Sequence, residues 1–316
     1  MGGRTMQTVD KNKIREALNE KSGFNVWWRL MRPHTLTASF IPVFVGTMLA
    51  YHDGRINWFL FLAMLVASIL IQAATNMFNE YYDYVLGLDT EESVGIGGTI
   101  VRDGVEPKKI RNLAFIFYGF AVILGIYICM ESSWWVAVLG LIGMAVGYLY
   151  TGGPVPISYT PLGELFSGVL MGSVIIGITF FIQTLAITWE VIWISMPLTI
   201  CSGSFNLANN IRDRDGDKEG GRKTIAVLIG REKAITLLAV LFVLAYIWTL
   251  GLIALGMLPY WSFLTLLSVP KAVYVIKNFR GKTEPLEMMP AMIATGKTNT
   301  IYGFLLGLSL VFSAIF

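Results

Sequence analysis

Residues 57–83 read NWFLFLAMLVASILIQAATNMFNEYYD, a run of 23 residues without a charge from Asn57 to Asn79 that ends on Glu80 and Asp83. A bilayer core takes about 20 apolar residues per helix, so this run is expected to cross a membrane and to deliver its carboxylates at the exit. Carboxylates are costly beside a bilayer and are kept there for function. The polar stretch continues from Asn76 through Asn79 and Asp83 to Asp89. A second apolar segment, 187–209, has the same design and runs into Asn209-Asn210-Ile-Arg212-Asp213-Arg-Asp215-Gly-Asp217.

The rest of the chain agrees with a membrane setting. Of its 316 residues 55 % are hydrophobic and 14 % charged, far from the roughly 25 % charged residues of soluble domains, and the mean hydropathy is +0.62. The fold class expected is an all-α polytopic bundle. No cleavable signal peptide is expected, because residues 1–23 are polar and lack an apolar core with a small-residue cleavage site. The domain organisation expected is a polar cytoplasmic segment at 1–31 followed by a single transmembrane domain at 32–316. A net charge of +3, with basic residues scattered over loops, implies no nucleic-acid partner. Cys129 and Cys201 both lie in apolar segments, where they read as packed small hydrophobes.

Nine spans are predicted, at about 35–51, 57–79, 112–131, 133–151, 161–184, 187–209, 234–256, 258–277 and 298–316. Turn and interface residues mark several breaks, including His52-Asp53-Gly54, Gly152-Gly153-Pro154 and Leu258-Pro259. With these spans, 23 of the 24 Lys and Arg residues fall on one side and only Arg55 on the other. Basic residues are retained on the cytoplasmic side, which places the N terminus inside and the C terminus outside. Spans 2 and 6 are separated by an even number of crossings, so both acidic stretches are expected at the cytoplasmic face. Asn79 and Asp213 are 134 residues apart, as are Asp83 and Asp217, a weak sign of duplication.

On a helix, side chains at i and i+4 sit one above the other. Asn79 with Asp83 makes one such ladder, and Asn209, Asp213 and Asp217 another, provided each helix persists past the membrane boundary. Stacked carboxylates repel, and a bound cation removes the repulsion. Hard oxygen and amide donors, with no Cys or His nearby, point to Mg²⁺, which completes its shell with water and phosphate oxygens. A phosphate ester is therefore the partner expected. Hydrated acidic loops are the bland alternative, and it suits Asp89, Glu91 and Glu92 taken alone. Arg102, Arg212, Arg222 and Lys223 lie beside the acids, where they either pair with a diphosphate or set topology. Tyr81, Tyr82, Tyr148, Tyr150, Thr151 and Tyr159 crowd the same face, as stabilisers of a carbocation or as interface anchors. Glu164 opens span 5, as a polar cavity contact or as compensation of a helix N-terminus. His34 sits where span 1 enters the membrane, to orient or deprotonate a phenolic substrate or simply to occupy the interface.

At these residues the chain resembles the UbiA superfamily of intramembrane aromatic prenyltransferases, whose members have nine transmembrane helices and two aspartate-rich motifs on cytoplasmic loops. The first motif here reads Asn79-Glu80-Tyr-Tyr-Asp83-Tyr-Val-Leu-Gly-Leu-Asp89, with Glu80 in place of the usual Asp. Its long final spacing resembles the branch that acts on 1,4-dihydroxy-2-naphthoate in menaquinone synthesis. Arg32-Pro-His-Thr-Leu-Thr-Ala-Ser, Ser93-Val-Gly-Ile-Gly-Gly, Pro161-Leu-Gly-Glu164-Leu and Asn209-Asn-Ile-Arg212-Asp213 with Asp217 agree with that branch. The resemblance implies Mg²⁺-dependent ionisation of a polyprenyl diphosphate and attack by the naphthoate ring, with loss of its carboxylate and a proton, to give demethylmenaquinol. By the same resemblance Asp83, Asp213 and Asp217 are catalytic and hold a pair of Mg²⁺ ions together with Asn79, Asp89 and Asn209. Arg102, Arg212 and Lys223 would pair with the diphosphate, and Asn76, Tyr150, Thr151, Glu164 and His34 complete the substrate-binding candidates. The implied location is the cell membrane, with the site facing the cytoplasm.

The nearest rivals are family enzymes that prenylate 4-hydroxybenzoate, homogentisate or haem. A rival of another class is a cation-coupled transporter. Transport favours carboxylates near the bilayer midplane on broken helices, whereas the acids here gather at the ends of spans.

Overall fold

The computed structural model describes residues 23–316 apart from 53, 55 and 90–97, and leaves the side chains of His34 and His52 undescribed. The start of the polar N-terminal segment, Arg55, Glu91, Glu92 and most of the 93–98 stretch lie outside the described residues. What is described is helical. In chain order the elements are α1 (Phe24–Leu30), α2 (Pro33–His52), α3 (Trp58–Val85), α4 (Pro107–Glu131) and α5 (Trp135–Leu149), followed by a 3-10 turn at Ile157–Tyr159. Next come α6 (Gly163–Val169), a π-turn at Leu170–Val174 and α7 (Ile175–Thr184), which together form one continuous helical unit. The remainder is α8 (Trp189–Glu219), α9 (Ile225–Ile229), α10 (Arg231–Ala254), a 3-10 stretch at Tyr260–Ser268, α11 (Val269–Phe279) and α12 (Pro285–Ile315).

Among the described residues six helical units are long and apolar enough to cross a membrane: α3, α4, the α6–α7 unit, α8, α10 and α12. Counting α1 and α2, bent by 56° at their junction, as one span gives seven. The predicted spans at 133–151 and 258–277 correspond to the 15-residue α5 and to a nine-residue 3-10 stretch joined to the 11-residue α11, neither of which is among these units. Two helices run longer than the predicted spans at the ends that matter here. α3 continues to Val85 and α8 to Glu219, so both polar ladders stand on regular helix. α12 begins at Pro285, well before the predicted start at 298.

Without a hydrophobic contrast between lipid and protein, membrane helices associate through small residues that let backbones approach. A Cβ at Gly46 would stand 2.7 Å from the Ile176 carbonyl oxygen, and one at Gly172 2.5 Å from the Cα of Thr199, which fixes α2 against α7 and the π-turn against α8. One buried cluster joins α2, α7, α8, α10 and α12, a second joins α8 through α12, and α3 packs along α4 with the ring of Phe78 against Phe115, Tyr118 and Tyr148. Large apolar side chains on α4 and α10, such as Phe120, Ile123, Val243 and Ile247, are exposed, as lipid-facing positions are. Cys129 and Cys201 are buried free thiols.

Candidate functional site

Two turns bring the acidic ladders together. α3 ends on Gly87 (φ 72°), a left-handed residue that glycine adopts without a Cβ penalty, and the chain folds back so that Leu88 N and Asp89 N both donate to the Asp83 carbonyl. Asp89 is thereby drawn beside Asp83. α8 ends likewise at Gly220, and Gly221 (φ 76°) reverses the chain so that Arg222 N donates to the Asp217 carbonyl at 2.8 Å.

That reversal places Arg222 between the two ladders. Its Nη2 donates to Asp83 Oδ1 at 2.5 Å and its Nη1 to Asp217 Oδ1 at 3.1 Å, one carboxylate from each motif. Burial alone lowers the affinity of this guanidinium for its proton, but Asp83 and Asp217 outweigh that and raise it, so the charge is permanent. Asn79 Nδ2 donates to Asp83 Oδ2 at 3.0 Å. Arg212 forms a paired contact with Asp213 at 2.5 and 2.6 Å, and its other arm lies against the sulfurs of Met289 and Met292. Asp89 is pushed up to about 7, first by burial and then by the charges of Asp83 and Glu80, against the pull of Arg32 and Arg102.

Among the described residues no three His, Cys, Asp or Glu side chains converge as a ready-made metal site. The carboxylates of the two ladders stand instead in arginine-bridged contacts, and three carboxylate oxygens, Glu80 Oε2, Glu164 Oε2 and Asp217 Oδ2, are buried without a hydrogen-bond partner. Buried carboxylate oxygens call for a donor or a cation. The ligands that the two ladders offer, Asn79, Asp83, Asn209, Asp213 and Asp217, are all carboxylate and amide, the set that Mg²⁺ prefers. The residues present therefore fit a hard divalent ion.

Asn79, Asn209 and Asp213 of the ladders line a cavity of about 480 Å³, whereas Asp83, Asp89 and Asp217 stand outside its lining. At its polar end lie Arg32, Asn79, Asn209, Arg212, Asp213 and Arg222, and its apolar depth is lined by residues such as Met64, Ile128, Val136 and Ile178. Of the tyrosines noted in the sequence, Tyr150 lines it, with its hydroxyl accepting from Asn206 Nδ2 at 2.6 Å. Glu164 is buried at the start of α6, where Oε1 accepts from Asn210 Nδ2 at 2.9 Å. α8 thus carries two polar faces, Asn206 and Asn210 toward α5 and α6, and Asn209, Asp213 and Asp217 toward the acidic site.

Other candidates sit elsewhere. Thr151 is buried and outside the cavity lining. Arg102 is buried with its guanidinium against Gly98, away from the lining. Lys223 has an exposed side chain, and its backbone N–H holds Tyr159 at 2.9 Å. The side chain of His34 lies outside the described residues. Arg32, which the sequence offers as a cytoplasmic charge within a resembling stretch, lines the cavity in left-handed backbone (φ 52°). A non-glycine residue in that region is held by its surroundings and is common at functional sites.

Asn76 lines the cavity but also holds this corner. Its Nδ2 donates to the Met31 carbonyl and to Thr35 Oγ1, both at 2.9 Å, and its oxygen accepts from Gln72. Alanine here leaves the half-buried Met31 carbonyl without this donor and Thr35 Oγ1 with only its bond to the Arg32 carbonyl, at a cost of about 1 kcal/mol. The expected result is a lowered Tm in detergent for Asn76→Ala. An unchanged unfolding curve would show that the corner is held without it.

The chain matches the model of the UbiA prenyltransferase family over residues 39–292. It is 54 % identical over 308 residues to the 1,4-dihydroxy-2-naphthoate octaprenyltransferase of Bacillus subtilis, covering 98 % of this chain and 99 % of that one. Its fold is similar to a UbiA homologue from Aeropyrum pernix (TM-score 0.66, 16 % identity, 88 % of this chain and 97 % of that one). It is also similar to a UbiA homologue from Archaeoglobus fulgidus solved with GPP and Mg²⁺ (TM-score 0.61, 15 % identity, 88 % and 98 %).

Proposed function

Because the chain belongs to the UbiA prenyltransferase family, we propose that it moves a polyprenyl group from its diphosphate to 1,4-dihydroxy-2-naphthoate in the membrane. The observation that carries this reading is Arg222 bridging Asp83 of the first motif and Asp217 of the second at the polar end of a largely apolar cavity. The allylic C–O bond breaks, diphosphate leaves with the bonding pair, a ring carbon forms the new C–C bond, and the ring carboxylate leaves as CO₂ with its bonding pair staying on the ring, so that no proton is lost overall. Arg32, Arg212 and Arg222 lie where they can stabilise the negative charge that develops on the leaving group, the largest lever on such a barrier. The apolar depth binds the prenyl tail and keeps water from the allylic cation. Tyr150 and Glu164, oriented by Asn206 and Asn210, are the polar groups nearest in kind to an acceptor site.

Mg²⁺, when bound, supplies positive charge that neutralises the diphosphate and makes it a leaving group. We assign two ions to Asn79, Asp83 and Asp89 on one side and Asn209, Asp213 and Asp217 on the other. Nine crossings belong to the same reading: the six long units, with α2, α5 and the 3-10 stretch joined to α11 as the other three. With the N terminus inside, the site then opens to the cytoplasm, and the bias of Lys and Arg to one side supports that orientation.

The test is purified protein with dihydroxynaphthoate, a long-chain prenyl diphosphate and Mg²⁺. The expected result is a decarboxylated prenyl naphthoquinol, no product in chelator, and no comparable turnover of 4-hydroxybenzoate. Absence of product, or full activity in Asp213→Ala, would falsify the reading.

A further inference from the structure

The polar side chains at the end of α3 do not all face one way. Asn79 lines the cavity and bonds Asp83, which Arg222 ties to the second motif. Glu80, one helical step away, is 1 % exposed and, like Asp83, stands outside the cavity lining. Its Oε1 accepts from two backbone donors, Thr99 N at 2.5 Å and Ile100 N at 3.3 Å, and its Oε2, which has no hydrogen bond, is paired in charge with Arg32 Nη2 at 3.7 Å. The segment it holds is a folded loop. Arg102 N donates to the Gly98 carbonyl at 2.7 Å, Gly104 N to Ile100 at 3.1 Å and Val105 N to Thr99 at 3.2 Å. Ile100 is packed in the cluster with Leu30, Met77 and Phe78.

We infer that Glu80 is a positioning residue and not a metal ligand: its carboxylate clamps the 98–105 loop, which carries Arg102, to the end of α3 through its two backbone contacts. The residue type follows from reach. Aspartate is shorter by one C–C bond, about 1.5 Å, and a hydrogen bond at normal length does not survive that stretch. Glutamine keeps the acceptor oxygen for Thr99 and Ile100 and loses only the charge that faces Arg32. The departure from aspartate at this position is thus the substitution that makes the clamp. This inference rests on the proposed prenyl transfer for its kinetic readout but not for its structural one.

The two roles predict opposite orders of damage. A clamp predicts that E80D lowers kcat/KM for the prenyl diphosphate about tenfold or more, while E80Q stays within about threefold of wild type, because only the first loses the backbone contacts. Both variants should reach half-maximal rate at the wild-type Mg²⁺ concentration. In hydrogen exchange on the full chain in detergent, the amides of Thr99 and Ile100 should exchange faster in E80D than in wild type and stay protected in E80Q. A metal ligand predicts the reverse: near wild-type activity in E80D, and a raised Mg²⁺ requirement in E80Q. That reversed order, or unchanged protection of Thr99 and Ile100 in E80D, overturns the inference. If the wild-type chain transfers no prenyl group, the function proposed above fails, and the exchange experiment still decides the clamp.

Discussion

Replacing Asp83 by alanine is expected to lower kcat/KM for prenyl transfer by a factor of about 10² to 10³, the range seen when one preorganised charge-stabilising group is removed. Asp83 accepts from Asn79 and Arg222 at once, and Asp89 folds back onto its carbonyl. Removing the carboxylate deletes an oxygen from the site assigned to Mg²⁺ and leaves Arg222 tethered to Asp217 alone. The backbone turn that draws Asp89 in does not depend on the side chain, so the loss should fall on chemistry more than on folding. Asp83→Asn keeps the shape and tests the charge separately. Labelled-product formation across a Mg²⁺ titration measures both, and a loss smaller than tenfold in the alanine variant would rule out a role at the reacting diphosphate.

Replacing Arg222 by glutamine is expected to destabilise the chain by about 3–5 kcal/mol in chelator, the cost of breaking a buried ion pair by removing one partner. Asp83 and Asp217 have side chains only 14 % and 5 % exposed, and Asp217 Oδ2 already lacks a donor, so the freed carboxylates would face each other with little water between them. A divalent cation that binds the folded state restores stability by mass action, about 2.7 kcal/mol at a hundred times its Kd. The variant should therefore show a lowered Tm in EDTA that recovers with Mg²⁺, and recovers more than wild type does. Thermal unfolding in detergent at graded Mg²⁺ reads this directly. Equal Tm values for variant and wild type in EDTA, or no recovery, would mean that Arg222 does not compensate the pair.

The ladders Asn79–Asp83 and Asn209–Asp213–Asp217 were legible because helical period alone stacks i and i+4, and both helices do run through those residues. Arg222 and Lys223 show where that legibility stops. They are neighbours of equal charge, yet one is clamped between two motifs and the other is exposed. Their directions are set by the reversal at Gly221, which spacing does not encode. Arg32 was readable as a cytoplasmic charge, but its place on the cavity wall depends on the bend between α1 and α2 and on Asn76 holding that corner. Glu80 was visible as a departure from aspartate. Its contacts lie on a loop about 20 residues away in sequence, so nothing local to the motif announced them.

The sequence by itself determined that this is a helical membrane protein with two acidic helix ends, because hydropathy over about 20 residues and the 3.6-residue period are local properties of the chain. It also carried the family resemblance, since the motifs are short and contiguous. Only the tertiary structure decided which charges share the cavity, which arginine joins the two motifs and which carboxylate is turned to hold a loop. Those choices depend on left-handed turns and small-residue helix contacts that couple positions more than a hundred residues apart, and no periodicity in the chain expresses such a coupling.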